Sequence, residues 1–207
     1  FSGSSVTTGL SFINSGPSYP YGITLRDFKI QCQNSAVRGI SIAYASAPKI
    51  ENVWVNGATQ YGVNLENCNQ PVLKDNLVAN CGDSTHAQVR MYNCTVTTFS
   101  SNYISSGNAN CLAGLNLELA QTATIQANAI ESTGVQILIG NEYTAGNRSN
   151  DITIDGNDLE NPTGAYIKIG PGYAASYSAY NVTIRGNTMT LSGSTTGAIG
   201  IDLNRVL

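Results

Sequence analysis

The stretch Gly114–Glu131, GLNLELAQTATIQANAIE, carries the pattern from which the rest of the chain can be read. Leu115, Leu117 and Leu119 alternate with Asn116 and Glu118, giving a strand one apolar face and one polar face. Ile125 follows Leu117 by eight residues, Asn128 comes three later and Ile130 two beyond that. The phrase recurs. Second-strand anchors fall at Leu25, Ile50, Leu73, Phe99, Ile125, Ile154 and Ile184, spaced 25, 23, 26, 26, 29 and 30 residues apart. Five residues after each comes another apolar residue: Ile30, Val55, Val78, Ile104, Ile130, Leu159 and Met189. A drifting period of this size marks a solenoid.

The first strand keeps step as glycine, apolar, any, apolar, beginning at Gly9, Gly39, Gly62, Gly114, Gly134 and Gly164. Gln88–Met91 and Ala198–Ile201 fill the same place without glycine. The strands are short and β-branched, no amphipathic helical run occurs, and Gly, Asn, Ser and Thr abound. An all-β, single-stranded solenoid of about seven to eight coils is the economical reading. The LxxLxLxxN spacing of a leucine-rich repeat is absent.

Over nearly its whole length the pattern resembles the right-handed parallel β-helix of the pectate-lyase-like superfamily. In that family each coil is three strands joined by turns, the second turn often carrying Asn. Asn76, Asn102, Asn128, Asn157 and Asn187 each sit three residues after an anchor, so stacking predicts an asparagine ladder in a left-handed turn. Phe28 and Val53 hold that place in the first two coils. Right-handedness follows from the rule for parallel crossovers and from the family.

With 207 residues, 42% hydrophobic composition and no charge-dense or Pro-rich linker, residues 1–207 suit one elongated domain. The sequence opens at Phe1 and closes inside an eighth, incomplete coil, so it is read as part of a longer protein. Net charge −3 argues against sequence-independent DNA binding, which needs a basic stripe. No apolar run approaches the ~20 residues of a membrane span. Five cysteines lack CxxC spacing or a paired framework, and Cys68 and Cys94 occupy equivalent places, which predicts buried free thiols. Sequon matches such as Asn93–Thr95 arise readily in an Asn- and Thr-rich chain.

Outward first-strand positions form two columns. One runs Ile13, Ala43, Glu66, Tyr92, Glu118, Leu138, Lys168, Asp202; the other runs Ser11, Ser41, Asn64, Arg90, Asn116, Gln136, Tyr166, Gly200. At ~4.8 Å per coil, Glu66 and Glu118 have backbones roughly 9.6 Å apart, and inverting glycosidases hold their two carboxyls about 6.5 to 9.5 Å apart. Glu66 and Glu118 are therefore the candidate catalytic pair. Arg90 is a candidate for holding a carboxylate and Tyr92 for stacking on a sugar, with Asn116, Tyr166 and Lys168 beside them. The plainer reading makes both glutamates solubilising charges.

His86, the single histidine, lies in a loop beside coil four. Ile137 to Ile154 and Ile167 to Ile184 are each 17 residues, so coils six and seven carry matching insertions. Tyr143, Tyr173 and Tyr177 in those insertions suit sugar faces or a protein partner. Asp151, Asp155 and Asp158 cluster without any calcium-loop motif, and neither a metal nor a cofactor is expected.

The paired Asp-Asp and Gly-His-Gly signatures of polygalacturonase-like enzymes are missing. What remains resembles the central β-helix of bacteriophage tailspikes, which implies a homotrimer on the virion or otherwise extracellular. It also implies binding, and often depolymerisation, of capsule or O-antigen, with Phe28, Val53 and Trp54 available as an outer contact face. A non-catalytic shaft and a monomeric secreted enzyme or adhesin stay open beside it.

Overall fold

The asparagines that repeat once per coil do meet one another. A computed structural model describes residues 8–14, 21–34, 36–106, 111–131, 133–140, 149–170, 179–192 and 198–203. Among these, eight first strands stack in one parallel sheet: Thr8–Ile13, Arg38–Ala43, Tyr61–Glu66, Val89–Tyr92, Ala113–Glu118, Val135–Ile139, Ala165–Ile169 and Ile199–Leu203. Second and third strands form the other sheet, also parallel throughout. The predicted all-β parallel solenoid is the fold.

The core is a set of columns along the axis. Leu65, Met91, Leu115, Leu117, Ile137 and Ile167 from the first strands face Leu73, Phe99, Ile125 and Ile154 from the second, all essentially inaccessible to water. Each such side chain contributes ~1.5–3 kcal/mol of burial. Glycine before the first strand has a steric cause. A Cβ on Gly62 would lie 2.4 Å from Val78 Cγ1, and one on Gly114 would lie 2.5 Å from Ile130 Cγ2, so the third strand fills the space a side chain would need.

The ladder closes the second turn. Nδ2 of Asn76, Asn102, Asn128 and Asn157 donates to Oδ1 of the next rung at 3.0, 3.0, 2.8 and 2.8 Å. Each Nδ2 also donates to an anchor carbonyl one coil back, as from Asn128 to Phe99. Each Oδ1 accepts a backbone N–H as well, beginning with Val53 N–H on Asn76. The left-handed residue is not the rung itself, as expected, but the one before it: Asp27, Asn52, Asp75, Ser101, Ala127, Gly156 and Gly186 all have φ between 51° and 63°.

That bend corrects the expected outer contact face. After Asp27 and Asn52 the chain turns Phe28 and Val53 inward, onto the core, in the place that later coils give to asparagine. Of the three, Trp54 alone remains on the outside.

Coils six to eight stack two residues out of the register read from glycine. Leu115 pairs with Ile137 and Leu117 with Ile139, so Leu138, Lys168 and Asp202 extend the Asn64–Arg90–Asn116 column rather than the Glu66–Glu118 column. Gln136 and Tyr166 drop into the glycine place, where side chains point inward, and Tyr166 joins the core. Gly134 marks the preceding corner, where a Cβ would lie 2.4 Å from the Cys111 carbonyl oxygen and 2.7 Å from that of Leu112.

All five cysteines are buried thiols, and burial pushes the Cys81 thiol up to about 12. Cys68 and Cys94 stack as expected, and a hydrogen bond from Cys94 lowers Cys68 while raising Cys94.

Two outcomes test this account. Asn128→Leu strands the two Asn102 donors and the Phe99 carbonyl in the core and costs about 3 kcal/mol, read from the urea midpoint; Asn187→Leu, at the half-exposed end, costs markedly less. A thiol reagent at pH 8 labels none of the native protein's cysteines within minutes and all five after denaturation.

Candidate functional site

Most of the outer surface of the first sheet is small or weakly polar, and charge gathers at coils three to five. Glu66, Arg90 and Glu118 project from three successive strands. The sequence columns put Tyr92 between the glutamates, but the side chain that fills the interval is Arg90 from the neighbouring column. Its Nη1 donates to Glu66 Oε1 at 2.7 Å and to Asn64 Oδ1 at 3.3 Å. Its Nε and Nη2 donate to Glu118 Oε1 and Oε2 at 3.0 and 3.2 Å, a two-point grip on that carboxylate.

Asparagines complete the network. Asn116 Nδ2 donates to Glu118 Oε1 at 2.9 Å, and Asn64 Nδ2 donates to Glu66 Oε1 at 3.2 Å. Side-chain exposure separates the two acids: 31% for Glu66 against 10% for Glu118. Glu118 is thus enclosed with both oxygens engaged, whereas Glu66 keeps Oε2 toward solvent. Asn116 Oδ1 is buried without a donor. Desolvation pulls the Arg90 guanidinium down, but the hydrogen bond and charge of Glu118, with help from Tyr61 and Glu66, hold it above its ordinary value.

Rings border this network. The Arg90 guanidinium lies 4.8 Å from the Tyr92 ring centroid and 5.6 Å from that of Tyr61. Tyr61 in turn has Arg38 at 5.8 Å and the His86 ring edge-on at 4.9 Å. Burial raises the Tyr61 hydroxyl. The loop before coil four folds back as a bridge between Asp83 and His86, which carries the imidazole over Tyr61. Asp83 Oδ1 accepts from Thr85 N–H, Thr85 Oγ–H and His86 Nδ1, at 2.8, 2.8 and 2.7 Å. These bonds outweigh the burial that pushes the Asp83 carboxyl up, and hold it below the usual range. With Nδ1 held by Asp83, Nε2 is the imidazole nitrogen left for a ligand.

Glu66, Glu118, Arg90, Tyr92, Asn116 and His86 are therefore brought together. Arg90 spends three of its donors on the protein's own carboxylates and one on Asn64. Tyr166 is buried and leaves the surface, and Lys168, half-buried, stands two strands beyond Asn116 with Leu138 between. Tyr143, Tyr173 and Tyr177 lie outside the described residues. Tyr61 and Asp83 were missed: Tyr61 precedes the glycine and reads as turn, and the Asp83–His86 spacing of three carries no signal until the loop folds.

Asp151 accepts from Asn150 and Asn181 and Asp155 pairs with Arg185 at 3.0 Å, while Asp158 is exposed. Among the described residues no group of three or more His, Cys, Asp or Glu could hold a metal ion, and no helix is long and apolar enough to cross a membrane.

The family described as a right-handed β-helix region matches residues 38–204. No curated protein matches the sequence. Among solved structures, a DFA-IIIase from Arthrobacter chlorophenolicus without its lid is similar at 12% identity and TM-score 0.51, over 93% of this chain and 58% of that one. The catalytic unit of a GH87 α-1,3-glucanase from Streptomyces thermodiastaticus gives 14% and 0.44, over 92% and 50%. The Dettilon tailspike protein gives 13% and 0.43, over 95% and 60%. The chain spans well under two thirds of the length of each.

Arg90→Met tests whether the guanidinium is the keystone. Two carboxylates, one enclosed, then lose their cation, and stability at pH 7 falls by about 3–5 kcal/mol. Adding Glu118→Gln to Arg90→Met restores most of the loss at pH 7, measured by denaturant titration.

Proposed function

The chain belongs to the right-handed β-helix family, and from that premise we propose that it binds bacterial surface polysaccharide, capsule or O-antigen, along the outer face of its first sheet. In this reading it is the host-recognition domain of a tailspike-like protein, trimeric and carried on a virion. The observation behind the reading is the Glu66–Arg90–Glu118 network, a charged cluster set on the outside of a rigid sheet and rimmed by Tyr61, Tyr92 and His86. Pre-formed polar groups beside exposed ring faces suit a sugar, whose hydroxyls need partners and whose C–H faces need apolar cover.

Roles follow from exposure. Glu66 accepts a sugar hydroxyl through Oε2, Tyr92 offers a ring face, and His86 Nε2 reaches the ligand from the loop. Arg90, Asn64, Asn116 and Glu118 are positioning residues that hold Glu66 in one rotamer. The cluster of two acids and one base is net negative, which favours a neutral repeat unit over a uronate at this point. Lys168 extends the track toward coil seven.

Cleavage by the same pair is the second reading, favoured by the two-strand spacing of Glu66 and Glu118. Their backbones stand roughly 9.6 Å apart, within reach of the inverting geometry. Glu66, at the open side, gives its proton to the glycosidic oxygen. Glu118, whose oxygens are both engaged, must first turn out from Asn116 and then takes a proton from the water that attacks the anomeric carbon.

The test incubates the protein with capsule and O-antigen polysaccharides from candidate host bacteria, following retention and new reducing ends. Saturable binding to one of them, weakened about tenfold (1.4 kcal/mol) by Glu66→Gln, is the expected result. New reducing ends that vanish in both Glu66→Gln and Glu118→Gln establish the second reading. Binding that is indifferent to Glu66→Gln removes this face as the site.

A further inference from the structure

The other sheet carries a groove of its own, about 460 Å³, along the bend between second and third strands of coils one to three. Its two walls differ in chemistry. One is the row Asp27, Asn52, Asp75, the left-handed residues of three successive bends. The opposite wall is the row Lys29, Trp54, Leu77, paired in register on adjacent third strands. Trp54 is 40% exposed, and the Lys29 ammonium sits 3.2 Å from its ring centroid. The acceptor wall is only lightly engaged: Asn52 Nδ2 donates to Asp27 Oδ1 at 2.9 Å, and Lys74 and Arg26 approach Asp75 and Asp27 at 3.5 and 3.9 Å.

We propose that this groove is a second carbohydrate site that holds one neutral pyranose. A pyranose has the same two-sidedness as the groove, a rim of hydroxyls and a face of C–H groups. Its hydroxyls donate to the Asp27, Asn52 and Asp75 oxygens, and its C–H face lies on the indole in place of Lys29. An ammonium over an exposed ring is worth only about 0.5–1 kcal/mol, so a ligand displaces it at small cost. An anionic sugar is disfavoured on the wall that meets its hydroxyls, where Arg26 and Lys74, at 3.9 and 3.5 Å, offset the two carboxylates only in part. The three coils span roughly 10 Å at ~4.8 Å per strand, the length of one sugar with part of a neighbour. The site lies on a different sheet from the Glu66 network and stands or falls independently of it.

Trp54 is the single tryptophan of the sequence, so emission excited selectively at the red edge, beyond tyrosine absorption, reports on this groove. The experiment titrates the protein with the methyl glycosides of glucose, galactose, mannose, rhamnose and N-acetylglucosamine, with methyl glucuronide as the anionic control. At least one neutral glycoside changes the emission saturably with Kd of about 1–10 mM, glucuronide does not, and Glu66→Gln leaves the response unchanged. Asp75→Asn keeps the left-handed bend, which Asn also tolerates, and weakens the response at least about tenfold. The proposal is overturned if no neutral glycoside alters emission up to about 100 mM, or if the response survives Asp75→Asn intact. It is also overturned if emission shifts with protein concentration alone while sedimentation shows a heavier species, which would make the groove a contact between copies.

Discussion

A carboxamide that must find four partners in the dry interior of a coil is the constraint on which the arrangement of this protein turns. From Asn76 to Asn157 every rung donates forward to the next rung and back to an anchor carbonyl, and from Asn102 on each also accepts twice at its oxygen. A buried amide is expensive when unpaired and harmless when fully paired. The ladder therefore ties each coil to its neighbours at one height, and every strand that leaves the turn inherits that height. The first-sheet register that sets Glu66, Arg90 and Glu118 side by side is a consequence.

The outer network obeys the same logic at a wetter site. Arg90 reaches one coil back to Glu66 and one coil forward to Glu118, so three strands are cross-tied on the outside as the asparagines tie them within. Enclosing Glu118 is tolerable only because both its oxygens are met. The result is a carboxylate pair with unequal access, one member sealed into the wall and the other left with an oxygen to offer.

Much of this was legible in the sequence and some was not, for physical reasons. The coil period, the three strands per coil, the ladder and the stacked thiols all follow from residues that repeat where the backbone repeats. The first-strand register of coils six to eight was misread because glycine was treated as one signal. Gly62 and Gly114 make room for a third-strand side chain, whereas Gly134 relieves a corner against two carbonyls. A two-residue error keeps inward and outward parity along most of the strand, so the apolar pattern could not expose it; only the corner did, by swallowing Tyr166. Within the site, Glu66 and Glu118 could be paired by counting coils. Which side chain fills the space between them depended on the length of arginine and the lateral spacing of columns, and counting carries neither.

Because the strands of successive coils pair in parallel among the described residues, their strand-to-strand hydrogen bonds point along the long axis. Tension applied at the ends therefore loads them in series, one layer at a time, in the manner of a zip rather than of a sheared plate. The coils at either end open first and the middle ones wait their turn. Compression along the same axis closes those bonds. Mechanically the chain is a rod that bears a push far better than a pull.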